Sequence, residues 1–350
     1  MRILIRADAS PRIGSGHVMR TLALAQALRS CGAQTMFACR PLPPSLRALA
    51  ETSGIYAELP NWNEPSGPAE LPWGENHRVQ DIADCTAAFA DWKADWVVVD
   101  HYASDPRWER AATAFAGRVA AIDDILRAHD CDLLVDGNLH GDRAYSDLPA
   151  RTRQLVGPRY ALLRPEFAQA HDAALARDGP VRRLLVFLGG MDRGNATGLV
   201  LEALGRIEPA QRPSQVDVVI GPDHPLAEQV AATCHAAGFT CHKGSSEMAR
   251  LCLEADLAVG AGGSSTWERC SVGLPALSLR LADNQRAIIH YGSRAGVLYE
   301  PGAGPMTPEK LAMHLRALID NPGLRHLISR NALAMVDGRG ATRVAQAILA

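Results

Sequence analysis

Lysine is scarce in this chain, and a strong net charge and long apolar runs are missing as well. Of the 36 basic residues only Lys93, Lys243 and Lys310 are lysines, and 38 acidic residues leave a formal net charge of -2. This balance argues against a basic surface for nucleic acid or anionic lipid. No apolar run approaches the roughly 18 residues that a membrane-spanning helix requires. Arg6 and Asp8 interrupt the apolar N-terminal stretch, which therefore predicts no signal peptide.

Cysteine pairs with the spacing of metal ligands or redox motifs are also absent. The chain has eight cysteines, none of them in a C-x-x-C pattern, and several fall within apolar strand or helix patterns. Such residues are typical of reduced thiols in a protein core rather than of disulfides or a zinc site. We therefore expect a cytoplasmic protein that uses no metal or other cofactor, with neither nucleic acid nor a membrane among its partners.

The chain does contain a regular alternation of short apolar runs and helical patterns. This alternation is typical of α/β proteins with a parallel sheet covered on both faces. Because 350 residues exceed the size of one hydrophobic core, we predict two doubly wound, Rossmann-like domains that face each other across a cleft. The predicted N-terminal domain spans 1–157, the linker region 158–180, the C-terminal domain 181–323 and a final helical segment 324–350. The predicted strands are RILIRAD, AQTMFAC, DWVVVDHY, RVAAIDD and CDLLVDGN, followed by RLLVFLGG, VDVVIG, FTCHKG, DLAVGAGG, PALSLRL and VLYEP.

The first glycine-rich loop, IGSGH, follows the first predicted strand and brings His17 to the start of a helix. It resembles the dinucleotide fingerprint G-x-G-x-x-G up to the third glycine, where Met19 stands instead. The next strand ends in FACR and supplies no acidic residue for a ribose. These departures argue against a dinucleotide site. They leave a lone histidine at the carboxyl end of a strand, where α/β proteins bind ligands.

Two further glycine-rich loops, FLGGMDRGN and GAGGSSTWE, each follow an apolar strand and precede a helix. Glycines let a phosphate approach the backbone, and the free amides at a helix start bind it. Two such loops suit a nucleoside diphosphate, although neither is a P-loop because no G-K-[S/T] sequence occurs. Glu268 has two interpretations that the sequence leaves open. It accepts hydrogen bonds from ribose hydroxyls, or it closes a capping box that begins at Ser265 and needs no ligand.

A more specific resemblance rests on six segments: RADASPRIGSGHVMR, VDHY, YALLRPEF, LGGMDRGN, GGSSTWE and DNQ. In this order, over the full length, the chain resembles the UDP-2,4-diacetamido-2,4,6-trideoxy-β-L-altropyranose hydrolases of pseudaminic acid biosynthesis. That family is similar to MurG-type glycosyltransferases, so the resemblance implies the GT-B architecture with UDP held mainly by the C-terminal domain. It also implies hydrolysis of the sugar–UDP bond without metal, with inversion at the anomeric carbon. The implied partners are the UDP-diacetamido-sugar substrate, water and the product UDP.

The resemblance also assigns site residues. His17 takes the place of the family's catalytic histidine. Departures from the family pattern are the extended loop with Trp62 and Trp73, Met191 in the second loop and Ala9 in the first motif, and they leave the substitution pattern of the sugar open. The residues expected near the sugar are Asp8, Gly14, Gly16 and Tyr102. Those expected to bind UDP are Gly189, Gly190, Asn195, Gly262, Gly263, Ser264, Ser265, Glu268, Asn284 and Gln285, with Asp283 nearby.

Physical chemistry gives His17 a role that fits this assignment. UDP is a good leaving group once its charge is held, so one general base for the attacking water is sufficient. An imidazole has suitable basicity near neutral pH, and a helix N-terminus favours its neutral form. Gly14 and Gly16 let the backbone bend and leave space for the sugar beside the ring. The competing explanation is a histidine that caps a helix or packs in the core.

Other polar residues at strand ends have weaker claims. Asp8 either orients His17 or binds a sugar hydroxyl, and a capping role explains it equally well. Tyr102 ends a strand on the same predicted cleft and is expected to contact the sugar. A structural or solvated role explains the remaining strand-end residues equally well or better: Asp100, His101, Asp123 and Asp124.

A D-x-D pair, Asp130 and Asp132, is the one pattern that points to a metal. Some sugar-nucleotide enzymes hold a divalent ion on the diphosphate with such a pair. Here the pair precedes the strand LLVDGN, which predicts the edge of the sheet opposite the ligand site, so we expect no metal role.

Two other enzyme classes remain open at this point. A GT-B glycosyltransferase would use the same nucleotide site with an acceptor hydroxyl in place of water. A UDP-sugar 2-epimerase would also use it, but would need acid and base groups at C2 of the sugar.

Overall fold

A computed structural model describes residues 1–10, 13–62, 71–302 and 304–350. The chain divides into two compact units, of which Met1–Pro165 with Arg339–Ala350 form the first and Glu166–Gly338 form the second. The first unit contains a sheet of seven strands and the second a sheet of five. The strand pairings within both sheets are parallel. The prediction of two doubly wound α/β domains is confirmed.

The first sheet has the strand order β3-β2-β1-β4-β5-β6-β7. The order reverses between β1 and β4, which is where an open α/β sheet has its ligand crevice. The strands are β1 (Arg2–Ala7), β2 (Gln34–Cys39), β3 (Ile55–Glu58), β4 (Ala94–Asp100), β5 (Ala116–Ile122), β6 (Leu133–Asp136) and β7 (Arg153–Val156). The helices between them are α1 (Gly16–Ser30), α2 (Pro44–Ser53), α3 (Glu75–Ala88) and α4 (Pro106–Ala111).

Both faces of this sheet are buried, which explains why its central strands are continuous apolar runs. Ile3 and Ile5 of β1 pack into a core that includes Leu24 of α1. Leu4, between them, points to the other face and packs into a core that includes Trp108 of α4. Because side chains alternate along a strand, a sheet covered on both sides requires apolar residues at every position.

The second sheet has the order β10-β9-β8-β11-β12, and its order reverses between β8 and β11. Its strands are β8 (Arg183–Phe187), β9 (Gln215–Ile220), β10 (Thr240–Lys243), β11 (Leu257–Ala261) and β12 (Ala276–Leu279). The helices are α5 (Pro165–Ala173), α6 (Ala196–Gly205), α7 (Ala227–Ala237), α8 (Met248–Glu254), α9 (Ser265–Ser271), α10 (Gln285–Arg294), α11 (Pro308–Ile319) and α12 (Pro322–Met335). The glycine-rich loops after β8 and β11 therefore lie side by side at the reversal point.

Three elements differ from the sequence prediction. The edge strands β3 and β7 were not predicted, because each has only four residues and one of its faces is polar or exposed. The apolar run VLYEP was predicted as a strand. It forms a single parallel bridge between Tyr299 and Leu277 instead of a ladder.

The two units can be compared with the predicted segments of the chain. The first boundary falls after Pro165, inside the predicted linker region. The predicted C-terminal helical segment is divided, since α12 belongs to the second unit and α13 (Gly340–Leu349) to the first. The reason is the apolar face of α13, where Val344, Ala345 and Ile348 are buried in the same core as α1. A sequence pattern indicates such a face but not the sheet that covers it.

Two observations concern the surface and the thiols. Within the described ranges, no helix has both the length and the apolar character needed to cross a bilayer. Six of the eight cysteines are buried, and none of the eight forms a disulfide bond.

Replacing Gly340 with alanine should destabilise the protein through the docking of α13. A Cβ at Gly340 would lie 2.1 Å from the backbone oxygen of Ala161. Overpacking of this kind typically costs ~1–3 kcal/mol. Gly205, the last residue of α6, is the matched control, because nothing lies within 4 Å of its added Cβ. Urea unfolding should show a lower free energy of unfolding for G340A and an unchanged or slightly higher one for G205A. Equal values for the two variants would contradict the close packing of α13.

Candidate functional site

The candidate site of the first unit lies where the strand order reverses. β1 and β4 are neighbours in the sheet, and Ala7 is in register with Asp100 at their carboxyl ends. The segment after β1 leads into α1, whose second residue is His17. Gly14 has a φ of +76°, a conformation that favours glycine, and allows this sharp entry into the helix. Pro11 and Arg12 of the motif lie outside the described residues.

His17 is held by a buried carboxylate. The Nδ1 of His17 lies 2.6 Å from Oδ1 of Asp100, the last residue of β4. Arg20, one helical turn after His17, donates from Nε to Oδ2 at 2.5 Å and from Nη2 to Oδ1 at 2.6 Å. The other end of the Arg20 guanidinium donates to Asp124 at 2.6 Å. One carboxylate on β4 therefore fixes two side chains of α1.

These contacts determine how the imidazole can act. Burial alone raises the pKa of the Asp100 carboxyl, but Arg20 and His17 more than offset it and hold the pKa at about 2. The carboxylate is ionised and can only accept, so Nδ1 of His17 carries the hydrogen. Nε2 is then the lone-pair nitrogen, and it has no hydrogen-bond partner among the described residues. The arrangement offers a base whose orientation is set by its second nitrogen.

Aromatic residues after β4 enclose the ring. Tyr102 and His17 make an edge-to-face contact, with ring centroids 4.5 Å apart. His101 lies parallel to His17 at 6.5 Å. Arg127 holds this segment, because its Nη1 donates to the backbone oxygens of Tyr102 and Ser104. Tyr102 thus packs on His17, and its expected contact with a sugar remains a prediction.

Asp8 does not orient His17, and the first of its two predicted roles is wrong. Arg6 donates to both oxygens of Asp8, at 2.5 and 2.7 Å, and the backbone amide of Arg40 donates to Oδ1 at 2.7 Å. Burial raises the pKa of the Asp8 carboxyl, but the Arg6 charge reverses this and lowers it to about 2. The nearest histidine contact of Asp8 is His101, with Nε2 at 3.6 Å.

Asp8 belongs to a buried ion network that Trp62 and Trp73 cover. Arg6 also donates to Asp81, and Arg40 donates to Asp81 and Asp84. The guanidinium of Arg40 lies 3.9 Å from the ring centre of Trp62, and that of Arg6 lies 5.6 Å from Trp73. These two aromatic residues stabilise the buried cations through cation–π contacts. Residues 63–70 of the loop between the tryptophans lie outside the described residues.

Asp123 is buried, not solvated, and is the centre of a second ion network. Arg127 donates to Asp123 from its backbone amide and from Nε, at 2.9 and 2.8 Å. The hydroxyl of Tyr145 lies 2.9 Å from Asp123 and 2.6 Å from Asp136. Burial lowers the pKa of His129, but its contacts with Asp123 and Glu109 reverse this and raise it to about 9. This network anchors Arg127 and, through it, the segment that carries Tyr102.

The D-x-D pair lies where the sequence placed it, ahead of β6. Asp130 contacts Arg110 and Arg151, and Asp132 accepts from the amide of Val119 at 2.9 Å. Both carboxylates are occupied by protein donors at the amino end of the strand. Among the described residues, no group of three or more His, Cys, Asp or Glu side chains could hold a metal ion.

In the second unit, the loop after β8 uses its own side chains at the start of α6. Asp192 accepts from the amides of Ala196 and Thr197, each at 2.8 Å, and Asn195 accepts from the amide of Gly198 at 3.1 Å. Three amides at the start of α6 are therefore already bonded. Asn195 acts as the helix cap, with a left-handed φ of 49°. Its assignment to UDP, like those of Gly189 and Gly190, remains a prediction.

The loop after β11 is different. The capping box does not form, because the helix begins at Ser265 and the N-cap residue Ser264 makes no side-chain cap bond. Within the described part of the chain, the amides of Gly263, Ser264 and Ser265 donate to no protein acceptor. A Cβ at Gly262 would lie 2.4 Å from Ile289, so this glycine allows α10 to pack against the loop. The start of α9 therefore lacks the side-chain capping that Asp192 and Asn195 give to the start of α6.

The last predicted segment, Asp283 to Gln285, leads into α10. Gln285 is the first residue of the helix, and its Oε1 accepts from the amide of Leu281 at 2.9 Å. Asn284 is its N-cap residue. Because α10 packs on Gly262, the structure brings Gln285 close to the loop after β11. The binding of UDP by these residues remains a prediction.

The protonation of His101 should appear in the pH dependence of stability. Burial lowers the pKa of His101 to about 3, and its Nδ1 accepts from the amide of Ala103. The folded protein keeps this ring neutral, so stability falls as the pH drops below about 6.5 and continues to fall towards pH 3. His101→Asn keeps an acceptor for Ala103 and removes the titration. Between pH 8 and pH 5 the wild type should lose about 2 kcal/mol more free energy of unfolding than the variant. Parallel pH profiles in urea unfolding would contradict the neutral ring.

Comparison with known proteins gives partial sequence matches to curated relatives. No model of a known protein family matches the chain. The spore coat polysaccharide biosynthesis protein SpsG of Bacillus subtilis is 30% identical over 217 residues, which cover 61% of this chain and 63% of the relative. A UDP-2,4-diacetamido-2,4,6-trideoxy-β-L-altropyranose hydrolase of Campylobacter jejuni is 28% identical over 172 residues, 48% of this chain and 54% of the relative. The matches thus span little more than half the length of these curated relatives.

A solved structure establishes the fold. MurG of Acinetobacter baumannii superposes with a TM-score of 0.67 at 16% identity, and the match covers 100% of this chain and 99% of that chain. Together with the two parallel sheets, this likeness confirms the predicted GT-B fold. The chain is similar in sequence to proteins of nucleotide-sugar and polysaccharide metabolism and similar in fold to a GT-B glycosyltransferase.

Proposed function

We propose that the protein hydrolyses a UDP-linked 2,4-diacetamido-2,4,6-trideoxy sugar of L-altrose configuration to UDP and the free sugar, in pseudaminic acid biosynthesis. The observation that carries the proposal is the orientation of His17. Asp100 occupies Nδ1 at 2.6 Å, which leaves Nε2 as the proton acceptor at the reversal point of the first sheet. The partial match to the Campylobacter relative and the family resemblance of the six sequence segments support the choice of substrate.

In the proposed reaction, His17 acts as general base. A water oxygen bonds to the anomeric carbon while Nε2 takes the water proton. The bond between the anomeric carbon and the UDP oxygen breaks, and its electron pair leaves with UDP. Attack from the face opposite UDP inverts the configuration. Asp100 then stabilises the imidazolium, as a carboxylate does beside a catalytic histidine, and Arg20 keeps that carboxylate in place.

The second unit supplies the nucleotide site in this proposal. The free amides of Gly263, Ser264 and Ser265 donate hydrogen bonds to the diphosphate, and the carboxylate of Glu268 accepts hydrogen bonds from the ribose hydroxyls. Such amide donors neutralise a diphosphate without a metal ion. Activity is therefore expected to persist in excess EDTA.

The proposal and its two alternatives differ in what they do to the substrate alone. We expect the UDP-diacetamido sugar, incubated with the protein, EDTA and no acceptor, to give UDP and a free sugar with unchanged configuration at C2. In ¹⁸O-labelled water the label should enter the sugar and not UDP, because the bond at the anomeric carbon breaks. Substrate that stays intact until an acceptor is added would indicate a glycosyltransferase, and inversion at C2 an epimerase.

His17→Asn should abolish turnover and leave UDP binding nearly unchanged, because the base and the nucleotide site belong to different units. Loss of a general base typically lowers kcat by ~10²–10⁴-fold. The matched control is His242→Asn. His242 lies on the edge strand β10 of the second sheet and pairs with Asp217 of β9. Steady-state kinetics and calorimetry with UDP provide the two measurements. A variant that keeps more than about a tenth of the wild-type kcat would exclude His17 as general base.

Glu268→Ala should weaken UDP binding far more than it lowers stability. Loss of a charged hydrogen-bonding partner costs roughly 1.5–3 kcal/mol, or about 10- to 150-fold in Kd. No capping box depends on this carboxylate, because the N-cap residue Ser264 makes no side-chain cap bond. Calorimetry with UDP and a thermal melt of the unliganded variant separate the two effects. A lowered Tm with an unchanged Kd for UDP would speak against the ribose contact.

A further inference from the structure

Arg269 of α9 is a buried cation that contacts no carboxylate among the described residues. It is 3% exposed, and its guanidinium donates to three neutral oxygens: the backbone oxygen of Ala261 at 2.8 Å, Oγ of Ser265 at 3.1 Å and Oγ1 of Thr266 at 3.3 Å. Its Nε has no partner among the described residues. Glu268, its neighbour in the chain, acts on it electrostatically without an ion-pair contact. Burial of an uncompensated charge is costly, so this position calls for an explanation.

The other buried arginines have their charge compensated. Arg6 and Arg40 each contact two carboxylates. Arg325, 2% exposed, donates to the backbone oxygens of Leu318 and Ile319 at the C-terminal end of α11. The C-terminal end of a helix carries partial negative charge, which favours a cation.

Arg269 has the opposite placement. Its guanidinium reaches back to Ser265 and Thr266 in the first turn of α9, where the helix carries partial positive charge. The adjoining amides of Gly263, Ser264 and Ser265 donate to no protein acceptor in the described ranges. Positive charge and unpaired donors therefore accumulate at one loop.

The end of β11 is shaped to admit this guanidinium. A Cβ at Gly260 would lie 2.4 Å from Nη1 of Arg269, so any larger residue would displace the charge. At Gly263 the opposite holds, since nothing lies within 4 Å of an added Cβ. The guanidinium of Arg269 is thus tightly packed against Gly260, whereas the space next to Gly263 is open.

We propose that Arg269 is a positioning residue for the diphosphate of the nucleotide: it fixes the loop over 261–266 from below and supplies the positive charge that a bound diphosphate compensates. This inference rests on the proposed function, because it assumes that a nucleoside diphosphate binds at this loop. The inference adds Arg269 as a residue that supports the loop and selects for the charge of the ligand, not for its base or ribose.

The test compares ligands that differ only in phosphate. Dissociation constants for UDP, UMP and uridine are measured by ligand-observed NMR for the wild type, Arg269→Gln and Arg269→Lys. We expect R269Q to raise the Kd for UDP by about 10- to 50-fold and that for uridine by less than about 3-fold, since the lost term is a charge–charge attraction across a few ångströms of protein. R269K retains the charge and should keep the ratio of the UDP and uridine constants within about 3-fold of the wild type.

Arg325→Gln is the matched control. It removes an equally buried arginine from the same unit and should lower the Tm without changing the ratio of the UDP and uridine constants. If R269Q does not fold, the ratio of the UDP Kd to the uridine Kd for R269K decides, and a ratio that rises as far as that expected for R269Q overturns the inference. Equal losses for UDP and uridine in R269Q overturn it as well and leave the proposed function intact. A wild type that binds no UDP overturns both.

Discussion

The arrangement of the first unit depends on one buried carboxylate. Asp100 has no solvent contact, so its charge is tolerated only because Arg20 and His17 bond to it. The same contacts make α1 a rigid extension of the sheet at the reversal point between β1 and β4. They also fix which nitrogen of His17 carries the hydrogen. Stability and chemical orientation thus arise from the same pair of oxygen atoms.

The two units differ in how their buried charges and helix amides are compensated, and this difference suggests that the units have different roles. In the first unit, buried arginines and carboxylates neutralise one another around Asp8, Asp81 and Asp123. In the second unit, the loop after β8 satisfies its helix amides with Asp192, whereas the loop after β11 keeps its amides free above Arg269. The two glycine loops, which look equivalent in sequence, differ at the start of the helix that follows: Asp192 bonds two amides of α6, whereas Ser264 makes no side-chain cap bond at α9. The reason is a single aspartate placed four residues before a helix amide.

The sequence predicts the parts of this structure that depend on local pattern. Apolar runs locate the central strands, and the glycine loops after β1, β8 and β11 lie at the carboxyl ends where they were expected. The contact of His17 with Asp100 spans 83 positions and has no local signal, so the sequence offered Asp8, which is closer, only as one possible partner. VDHY among the shared segments was the available hint. The edge strands and the docking of α13 could not be predicted, because each depends on a neighbour that only the folded sheet provides.

The tautomer of His17 is the most direct test of this account. Histidine-selective ¹⁵N labelling and NMR at neutral pH distinguish a protonated ring nitrogen from an unprotonated one, and the H17N spectrum assigns the His17 signals. The account predicts a neutral ring with the hydrogen on Nδ1 and a bare Nε2, and a loss of that preference in Asp100→Asn. A wild-type ring that carries its hydrogen on Nε2 would contradict the central claim, because such a ring could not accept a proton at the nitrogen that Asp100 leaves free.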